Sequence, residues 1–509
     1  MSTSNSLTLR LNPSDNVVVA VAALEPQKGI PEENIICQDS IPEGHKVATE
    51  TIAKGETIRK YGQIIGVASR DIKPGEHVHT QNMEMLNYER NYTFGTKARP
   101  TIPVHGKDQA LFQGIVRADG RVATRNYIGV IASAHCSSSV TRFIAEAFDG
   151  DTLAAFPNVD GVVSVIHGSG CGLADHGEGI EYLQRTLGGW AHHPNFAGVI
   201  VVGLGCEINQ IDVLADKMNL EPSSTFRALN IQSVGGTKKT LQLGVETIKE
   251  MLPEANRAER QPVPASHLVV GLECGGSDAL SGITANPALG VASDLVVRHG
   301  GTVILSETTE IYGAEQLLVQ RVEREEVGQK LVERIHWWEE YTRRNGIELN
   351  NNPSPGNKAG GLTTILEKSL GAVAKSGSTN LVEVYRFAEP VTSKGLVFMD
   401  TPGYDMVSVT GKVAGGANII CFTTGRGSVY GSKPVPTIKL ASNSKMYRAM
   451  EEDMDINCGL IVDGEASLDE TGQVIFQRIL DTASGKKTKS ELLGFGNNEF
   501  APWFIGATL

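Results

Sequence analysis

The chain has 509 residues, of which 40% are hydrophobic and 20% are charged, a composition typical of a globular protein with about two to four domains. Asp and Glu total 58 against 46 Lys and Arg, giving a formal net charge of −12. This charge argues against nucleic acid as a general partner, although a local basic pocket for an anionic metabolite is compatible with it. No stretch reaches the roughly 20 apolar residues of a membrane span, and the N-terminus lacks the apolar core of a signal peptide. We therefore expect a cytoplasmic protein without a membrane partner.

The first 90 residues are predicted to form a small β-rich domain. Short apolar runs such as Val17–Val19 and Ile64–Val67 alternate there with turn signals. His77 and His79 have i, i+2 spacing, so on a strand both rings face the same side. Two interpretations stay open: the two rings bind a metal ion, or they simply lie on an exposed face of the strand. Residues 91–112 mix Gly, Pro and charge without a period and are predicted to be a linker.

Two α/β domains are predicted to follow, at residues 113–258 and 259–509. Apolar runs alternate with helical segments in both, a pattern that indicates mostly parallel sheets. The Pro-rich segment PEANRAERQPVPA marks the boundary between them. A charged segment from about Glu315 to Arg344 predicts one long helix.

Four of the seven cysteines follow apolar runs in loops rich in glycine or polar residues, namely Cys136, Cys171, Cys206 and Cys274. The odd total argues against a disulfide framework, and Cys421, inside its run, is predicted to fill the core. Free thiols are soft ligands for iron or zinc. Because no C-x-x-C pair exists, the ligands would come from separate loops, as in an active-site metal or a three-cysteine iron–sulfur cluster with one open iron.

The stretch from Leu268 to Pro287 predicts a strand whose carboxyl end carries a binding loop. The run Leu268–Leu272 is apolar, Gly275 and Gly276 free the backbone, and polar side chains follow. In open α/β sheets, ligands bind outside the carboxyl ends of strands. The chain has neither a dinucleotide fingerprint nor a P-loop, which disfavours nucleotide sites. Cationic groups beside turn residues favour a small anionic ligand instead, and they are Arg125, Lys358 and Arg426.

Several long motifs along nearly the whole chain resemble one family. They are Gly44-His45-Lys46, Gly75 to His79, Gly203 to Glu207, Glu273 to Asp278, Asn352 to Gly361 and Phe422 to Gly427. In these motifs the chain resembles the altronate and galactarate dehydratases, sugar-acid dehydratases with an N-terminal SAF domain. The resemblance implies a β-clip SAF domain followed by α/β domains with mostly parallel sheets. It also implies iron-dependent removal of water from an aldonate or aldarate.

The substrate implied by the resemblance is D-altronate. The loop from Asn352 and the terminal Ala507–Leu509 are similar to altronate enzymes, whereas the segment HGSGCGLADHGEG around Cys171 departs from both subfamilies. The alternatives are therefore a galactarate dehydratase and a sulfolactate sulfo-lyase. A protein of another class, a catalytically inactive sugar-acid binding protein, is the remaining hypothesis. We also expect a homo-oligomer.

Roles follow from combining the resemblance with the loop chemistry. Iron, as Fe²⁺ or as an iron–sulfur cluster and with Mn²⁺ as a substitute, is hypothesised to bind Cys171, Cys206 and Cys274, or a subset of them together with His167. The general base is hypothesised to be Lys358, His167 or Glu207, which the sequence does not rank. Either Arg125 or Arg426 would bind the substrate carboxylate. The further predicted substrate contacts are His45, Asn126, Ser277, Asp278 and Asn286. His45, His77 and His79 form a rival metal site, or their domain simply covers the pocket.

Overall fold

The computed structural model describes residues 6–86, 90–148 and 150–506. The N-terminal region is a small antiparallel β domain whose strands form three sheets, in the orders β1-β2-β5-β8, β6-β7-β9 and β3-β4. Its strands are β1 (Thr8–Leu9), β2 (Val17–Ala20), β3 (Gly29–Ile30), β4 (Ile35–Ile36), β5 (Lys46–Ala48), β6 (Thr57–Lys60), β7 (Gln63–Ala68), β8 (His77–Val78) and β9 (Met83–Glu84). The prediction of a small β domain at the N-terminus is confirmed.

The second region contains a four-stranded parallel sheet in the order β13-β12-β14-β15, flanked by helices. Its strands are β10 (Leu111–Val116), β11 (Val122–Ala123), β12 (Tyr127–Ala132), β13 (Gly161–Val165), β14 (Phe196–Gly203) and β15 (Phe226–Asn230). Its helices are α1 (Ser138–Glu146), α2 (Gly150–Leu153), α3 (Glu178–Ala191), α4 (Ile211–Met218), α5 (Ile231–Val234) and α6 (Thr237–Ala255). The next strand, β16 (Arg260–Pro264), pairs antiparallel with β10, which begins within the predicted linker.

The C-terminal region is built on a seven-stranded parallel sheet. Its strands are β17 (Val269–Cys274), β18 (Thr302–Leu305), β19 (Leu381–Tyr385), β20 (Gly395–Met399), β21 (Ile419–Thr424), β22 (Thr437–Ala441) and β23 (Ile456–Asn457). Its helices are α7 (Ala285–Arg298), α8 (Gln316–Val319), α9 (Glu325–Arg344), α10 (Pro355–Ala359), α11 (Ile365–Val373), α12 (Asp405–Ala414), α13 (Ser444–Ala449), α14 (Leu468–Ala483) and α15 (Lys489–Leu492). Strands β18, β20, β21 and β22 are buried along their whole length, as expected of a parallel sheet covered by helices on both faces.

The strand order of this sheet, β19-β20-β18-β17-β21-β22-β23, contains a topological switch point. From β17 the chain first builds β18, β19 and β20 on one side and then returns to add β21, β22 and β23 on the other. Loops leaving the carboxyl ends of β17 and β21 therefore diverge and open a crevice, where open α/β sheets bind their ligands. We call this the switch-point crevice, bounded by residues 275–278 and 425–426.

The helical segment predicted from about Glu315 to Arg344 is interrupted once in the structure. The structure separates α8 from α9 by residues 320–324. Val322, in this gap, forms a parallel bridge with Leu381 at the start of β19, so a long-range backbone pairing replaces the helix there. Among the described residues, no helix is both long and apolar enough to cross a membrane.

Candidate active site

In the switch-point crevice, the carboxyl group of Asp405 contacts the backbone of Gly275. Asp405, the first residue of α12, lies against Gly275 so closely that a Cβ at position 275 would collide with Asp405 Oδ2. Burial, and then the neighbouring carboxylates of Glu307 and Glu310, raise the pKa of Asp405 to about 7. A carboxyl group with this pKa can both donate and accept a proton near neutral pH, which makes it a candidate acid–base group.

Two cationic side chains flank the same crevice without a partner. Arg426 follows Gly425 and is exposed, and Lys358 lies half-buried on α10. Within the part of the chain that the structure describes, neither side chain forms an ion pair or donates a hydrogen bond. The crevice therefore offers unneutralised positive charge, as an anionic ligand requires.

Asp278 ties the walls of the crevice together. Its Oδ1 accepts hydrogen bonds from the Ser281 amide at 2.7 Å and from the Ser442 hydroxyl at 2.8 Å. Its Oδ2 accepts one from Asn443 at 3.0 Å. The carboxylate therefore has several partners within the protein and holds the loops of the crevice together.

The other predicted contacts of this loop differ in how free they are. Asn286 donates to the Gly371 carbonyl at 3.0 Å and accepts from the Thr423 hydroxyl at 2.6 Å, so its amide is committed to the fold. Ser277 is 4% exposed, and its hydroxyl makes no side-chain hydrogen bond among the described residues. Ser277 therefore remains the more available of the two for a ligand.

Behind the crevice lies a buried network of acids, a thiol and lysines. The Cys274 Sγ is 3.6 Å from Glu307 Oε2 and 3.5 Å from Glu310 Oε2. Lys375 donates to Glu307 at 3.0 Å and Lys368 to Glu310 at 2.7 Å. Each of these two carboxylates therefore has an ammonium partner, and the ligand atoms of Cys274, Glu307 and Glu310 also lie within 4.8 Å of one another, as a metal site requires.

Burial and neighbouring negative charge raise the pKa of acidic groups in this network. Burial, and then the charge of Glu273, raise the pKa of Glu307 to about 7, whereas burial and Glu307 raise that of Cys274 well above its usual value. Cys274 is therefore a neutral thiol. Glu307 also has φ of 65°, a left-handed conformation that a non-glycine residue adopts at an energetic cost and that is frequent at functional sites.

The small β domain packs onto this region through buried charges. Lys46 and Lys60 both donate to Glu367 on α11, with Nζ–O distances of 2.9 Å. Burial alone would raise the pKa of Glu367, but the two ammonium groups outweigh it and hold this pKa far below its usual value. His45 adds a contact of 3.3 Å between its Nε2 and the Ala359 carbonyl, next to Lys358. The β domain therefore forms one wall beside the crevice.

Three of the four strand-end cysteines lie at one edge of the second sheet. Cys136, Cys171 and Cys206 follow β12, β13 and β14, which are neighbours in that sheet, and all three are exposed. Slight desolvation, and then the adjacent thiols of Cys171 and Cys206, raise the pKa of Cys136. We call these residues the thiol trio. The structure thus groups Cys171 and Cys206 with Cys136, whereas Cys274 lies with the carboxylates.

Glycines hold the loops of the thiol trio. Gly170 and Gly205 precede Cys171 and Cys206, with φ of 93° and 124°, values that strain any other residue. A Cβ at either position would also collide with its surroundings, at Gly170 with the backbone of Ser133 and Ala134. Both glycines are therefore required to present the thiols.

His167 and Glu207 support these loops with their hydrogen bonds. His167 Nε2 donates to the Ala132 carbonyl at 3.0 Å and its Nδ1 accepts from the Ser169 amide at 3.2 Å, an assignment inferred from these partners. Burial lowers the pKa of His167 to about 4, so the ring is neutral. Glu207 accepts from the Gly205 amide and from the Ser133 hydroxyl at 2.8 Å. Neither group has an obvious free position for a substrate proton.

Arg125 and Asn126 lie at the opposite edge of that sheet, before the first residue of β12. Arg125 is 1% exposed and donates to Glu491 through Nε at 2.6 Å and Nη2 at 2.8 Å. The Asn126 amide donates to the carbonyls of Asn158 and Ala255. The structure does not bring these two residues to the switch-point crevice.

Most of the buried charges were not predicted from the sequence. Their signal is a single charged residue in an otherwise apolar segment, as for Lys375 in GAVAKSG and Lys412 in SVTGKVAGG. Lys412 pairs with Glu273 inside the sheet–helix interface. Such isolated charges are rarely buried without a partner, so their pattern could have predicted an internal ion-pair network.

Models of three consecutive protein domains match the chain. Residues 6–86 match the altronate/galactarate dehydratase SAF domain, residues 114–256 the second domain of D-galactarate dehydratase/altronate hydrolase, and residues 265–508 the C-terminal domain of D-galactarate/altronate dehydratase. The match of the first model identifies the small β domain as a SAF domain, as predicted.

Curated proteins are similar over the full length. A galactarate dehydratase (L-threo-forming) of Escherichia coli is 38% identical over 97% of this chain and 96% of its own. An altronate dehydratase of Bacillus subtilis is 33% identical over 98% of this chain and 99% of its own. The beta subunit of a (2R)-sulfolactate sulfo-lyase of Chromohalobacter salexigens is 30% identical over 75% of this chain and 95% of its own.

Fold, domain order and relatives define the class of protein as a carbon–oxygen lyase, a hydro-lyase acting on sugar acids. The chain belongs to the altronate/galactarate dehydratase family.

Proposed function

We propose that the protein removes water from a six-carbon sugar acid, D-altronate in the first place, in the switch-point crevice. The observation that carries this proposal is that a titratable residue and a cationic residue contact the same turn: Asp405, whose pKa is raised to about 7, lies against Gly275, and the Arg426 amide donates to the Gly276 carbonyl at 2.8 Å. An anionic substrate held by the guanidinium would lie beside a group able to transfer a proton.

The reaction needs three things from the protein. A base must take the proton on C2, an acid must protonate the departing C3 hydroxyl, and a cation must stabilise the charge that develops next to the carboxylate. The resulting enol then tautomerises to a 2-keto-3-deoxy acid. Each of these needs has a matching group at the crevice.

We assign the base to Lys358, the acid to Asp405 and carboxylate binding to Arg426. Of the three predicted bases, Lys358 alone flanks the crevice, because His167 and Glu207 are hydrogen-bonded supports of the thiol loops. Ser277 is proposed to contact a substrate hydroxyl. We no longer propose that Arg125 binds the substrate carboxylate, because its guanidinium forms an ion pair with Glu491.

Iron remains part of the proposal, with a changed ligand set. The thiol trio supplies three free thiols from separate loops, a donor set that suits iron, either as Fe²⁺ or within an iron–sulfur cluster that keeps one iron open. Iron bound there would supply a Lewis acid. We therefore propose Cys136, Cys171 and Cys206 as its ligands and omit Cys274, a neutral thiol beside paired carboxylates. Mn²⁺ as a substitute is untested.

Identities of 38% to the galactarate enzyme and 33% to an altronate enzyme do not separate the two substrates. The terminal residues 507–509, which favoured altronate, lie outside the described residues. Galactarate is therefore the second candidate, and sulfolactate is the third because a relative with that name spans three quarters of the chain. Cytoplasmic location and a homo-oligomeric state stay predictions.

One assay tests these proposals together. Purified protein is incubated anaerobically with altronate, galactarate or sulfolactate, with and without added iron, and 2-keto acid and sulfite are measured. We expect a 2-keto-3-deoxy acid from one sugar acid. Sulfite from sulfolactate would reassign the protein as a sulfo-lyase. Binding of a sugar acid by calorimetry without any product would favour the inactive binding protein.

A further inference from the structure

Three histidines of the SAF domain form a cluster that the proposed chemistry does not use. The ring centroids of His45, His77 and His79 are 4.9–5.4 Å apart. His45 Nδ1 and His77 Nε2 are 2.9 Å apart. One ring nitrogen from each residue can be chosen so that all three lie within 4.8 Å of one another. We call this cluster the histidine trio.

Strand pairing brings the three rings together. β5 pairs antiparallel with β8, with Val47 opposite His77 and Lys46 opposite Val78. Continuing this register by one residue puts His45 opposite His79, and the i, i+2 spacing puts His77 and His79 on one face. Asn82 fixes the turn, since it accepts from the His79 amide and donates to the His77 carbonyl, both at 2.9 Å. The cluster is therefore built on a constrained backbone.

The ring nitrogens are arranged as metal ligands usually are. His45 Nε2 faces the Ala359 carbonyl at 3.3 Å, so this nitrogen carries the proton and Nδ1 keeps its lone pair. Metal-binding histidines typically donate their second N–H to such a backbone carbonyl. His79 Nδ1 is buried and has no hydrogen-bond partner among the described residues. A buried ring nitrogen without a protein partner is available to coordinate a ligand.

The charged groups around the histidine trio are compatible with a bound cation. Lys46 is paired with Glu367, which reduces its repulsion of a cation, and Asp39 accepts from the His77 amide at 2.9 Å.

We propose that His45, His77 and His79 bind one divalent first-row transition metal ion, at the interface between the SAF domain and α10, the helix that carries Lys358. Three neutral imidazoles suit Zn²⁺, Fe²⁺ or Co²⁺ rather than Mg²⁺ or Ca²⁺, which prefer oxygen ligands. Tetrahedral ligand nitrogens stand about 3.3 Å apart at metal–nitrogen distances of about 2.0 Å, so the observed spacings need only small side-chain shifts.

A three-histidine site leaves at least one coordination position for water or a ligand oxygen. The Ala359 carbonyl contact makes the site continuous with α10 and thus with Lys358. If the proposed dehydration is correct, this ion is a second cation available to a substrate oxygen near the crevice, separate from the thiol trio. The metal site itself does not depend on that reaction.

The test measures metal binding rather than turnover. Cys136, Cys171 and Cys206 are replaced together by Ser to remove the thiol trio, the protein is stripped with a chelator, and Co²⁺ is titrated with detection by d–d absorption and elemental analysis. We expect one Co²⁺ per chain. Adding His77→Gln and His79→Gln should weaken binding by more than about 100-fold, beyond the 10- to 100-fold typical of outer-shell changes. His176→Gln, at an exposed ring beside Asp175, should leave it unchanged.

The outcomes separate the site from non-specific binding. Equal Co²⁺ affinity with and without the two Gln substitutions, or no stoichiometric uptake by the protein lacking the thiol trio, would overturn the proposal. If the double histidine variant does not fold by circular dichroism, X-ray absorption of Co²⁺ in the protein that retains all three histidines decides. A first shell with three imidazole nitrogens supports the site, and a shell of oxygen alone refutes it.

Discussion

Asp405 Oδ2 lies against the Cα of Gly275, so the carboxyl group that opens α12 is seated on the residue that follows β17. Only a glycine leaves room for it. This contact joins the carboxyl end of the central strand to a group whose pKa is raised to about 7, and so places a titratable proton at the switch point.

Replacing Asp405 by Asn should abolish proton transfer and stabilise the fold at alkaline pH. Between pH 3.8 and about 7 the native carboxyl keeps a proton that the unfolded carboxyl loses, so the free energy of unfolding falls as pH rises. Asn does not titrate. We expect kcat to fall by about 10²- to 10⁴-fold. At about pH 8 the unfolding free energy of the variant should exceed that of the wild type by at most about 4 kcal/mol. The measurements are keto-acid assays and urea unfolding.

The control for this prediction is Asp216→Asn, at an exposed position of α4. It should change neither kcat nor the pH dependence. Gly275→Ala tests the contact itself, because the added methyl must displace Asp405. Wild-type kcat in both Asp405→Asn and Gly275→Ala would remove Asp405 from the mechanism.

Arg426 and Arg125 should respond in opposite ways to replacement by Ala. Arg426 is exposed and has no ion-pair partner among the described residues, so its loss should lower kcat/KM for the sugar acid by about 10- to 100-fold and leave the melting temperature unchanged. Arg125 is buried against Glu491, so its loss should cost about 3 kcal/mol of unfolding free energy. Steady-state kinetics and thermal unfolding distinguish the two, and unchanged kinetics in the Arg426 variant would refute carboxylate binding there.

Glu367→Gln should weaken the attachment of the SAF domain to α11. The change leaves Lys46 and Lys60, 0% and 1% exposed, without an anion, and we expect a loss of about 3–5 kcal/mol in urea unfolding. Glu383→Gln is the matched control, since Glu383 pairs with exposed Arg324 and Lys330 and should cost at most about 1 kcal/mol. Equal effects of the two substitutions would mean that the buried network does not stabilise the fold.

Replacing the thiol trio should remove iron while leaving the fold intact. Cys136, Cys171 and Cys206 are exposed, so their Ser variants should unfold at the wild-type temperature. We expect each to lose iron and visible thiolate-to-iron absorption after anaerobic reconstitution, whereas Cys37→Ala, in the core of the SAF domain, should retain both. Full iron content in all three Ser variants would exclude these ligands. Iron loss in Cys171→Ser, Cys206→Ser and Cys274→Ser but not in Cys136→Ser would restore the original ligand set.

Local signals in the sequence were sufficient for the architecture and the loops. The apolar run ending at Leu272 and the glycines that follow predicted β17 and its turn, and the structure has the strand at Val269–Cys274. Such patterns depend on neighbours along the chain, as do the turn signals of the SAF domain. The same local signals did not predict the interruption between α8 and α9, because Val322 pairs there with Leu381, a residue far along the chain.

The sequence by itself determined that this is an α/β protein with a small β domain and with thiols, glycines and cations at strand ends. Only the tertiary structure decided which of these groups meet. Strand order placed Arg426 and Asp405 at the carboxyl end of β17. It placed Cys136, rather than Cys274, beside Cys171. It placed Arg125 at the opposite edge of the second sheet, where it pairs with Glu491. Lys46 pairs with Glu367, which lies 321 residues further along the chain. The physical reason is that a strand's neighbours and a buried charge's partner are selected by packing across the whole chain, which no local pattern encodes.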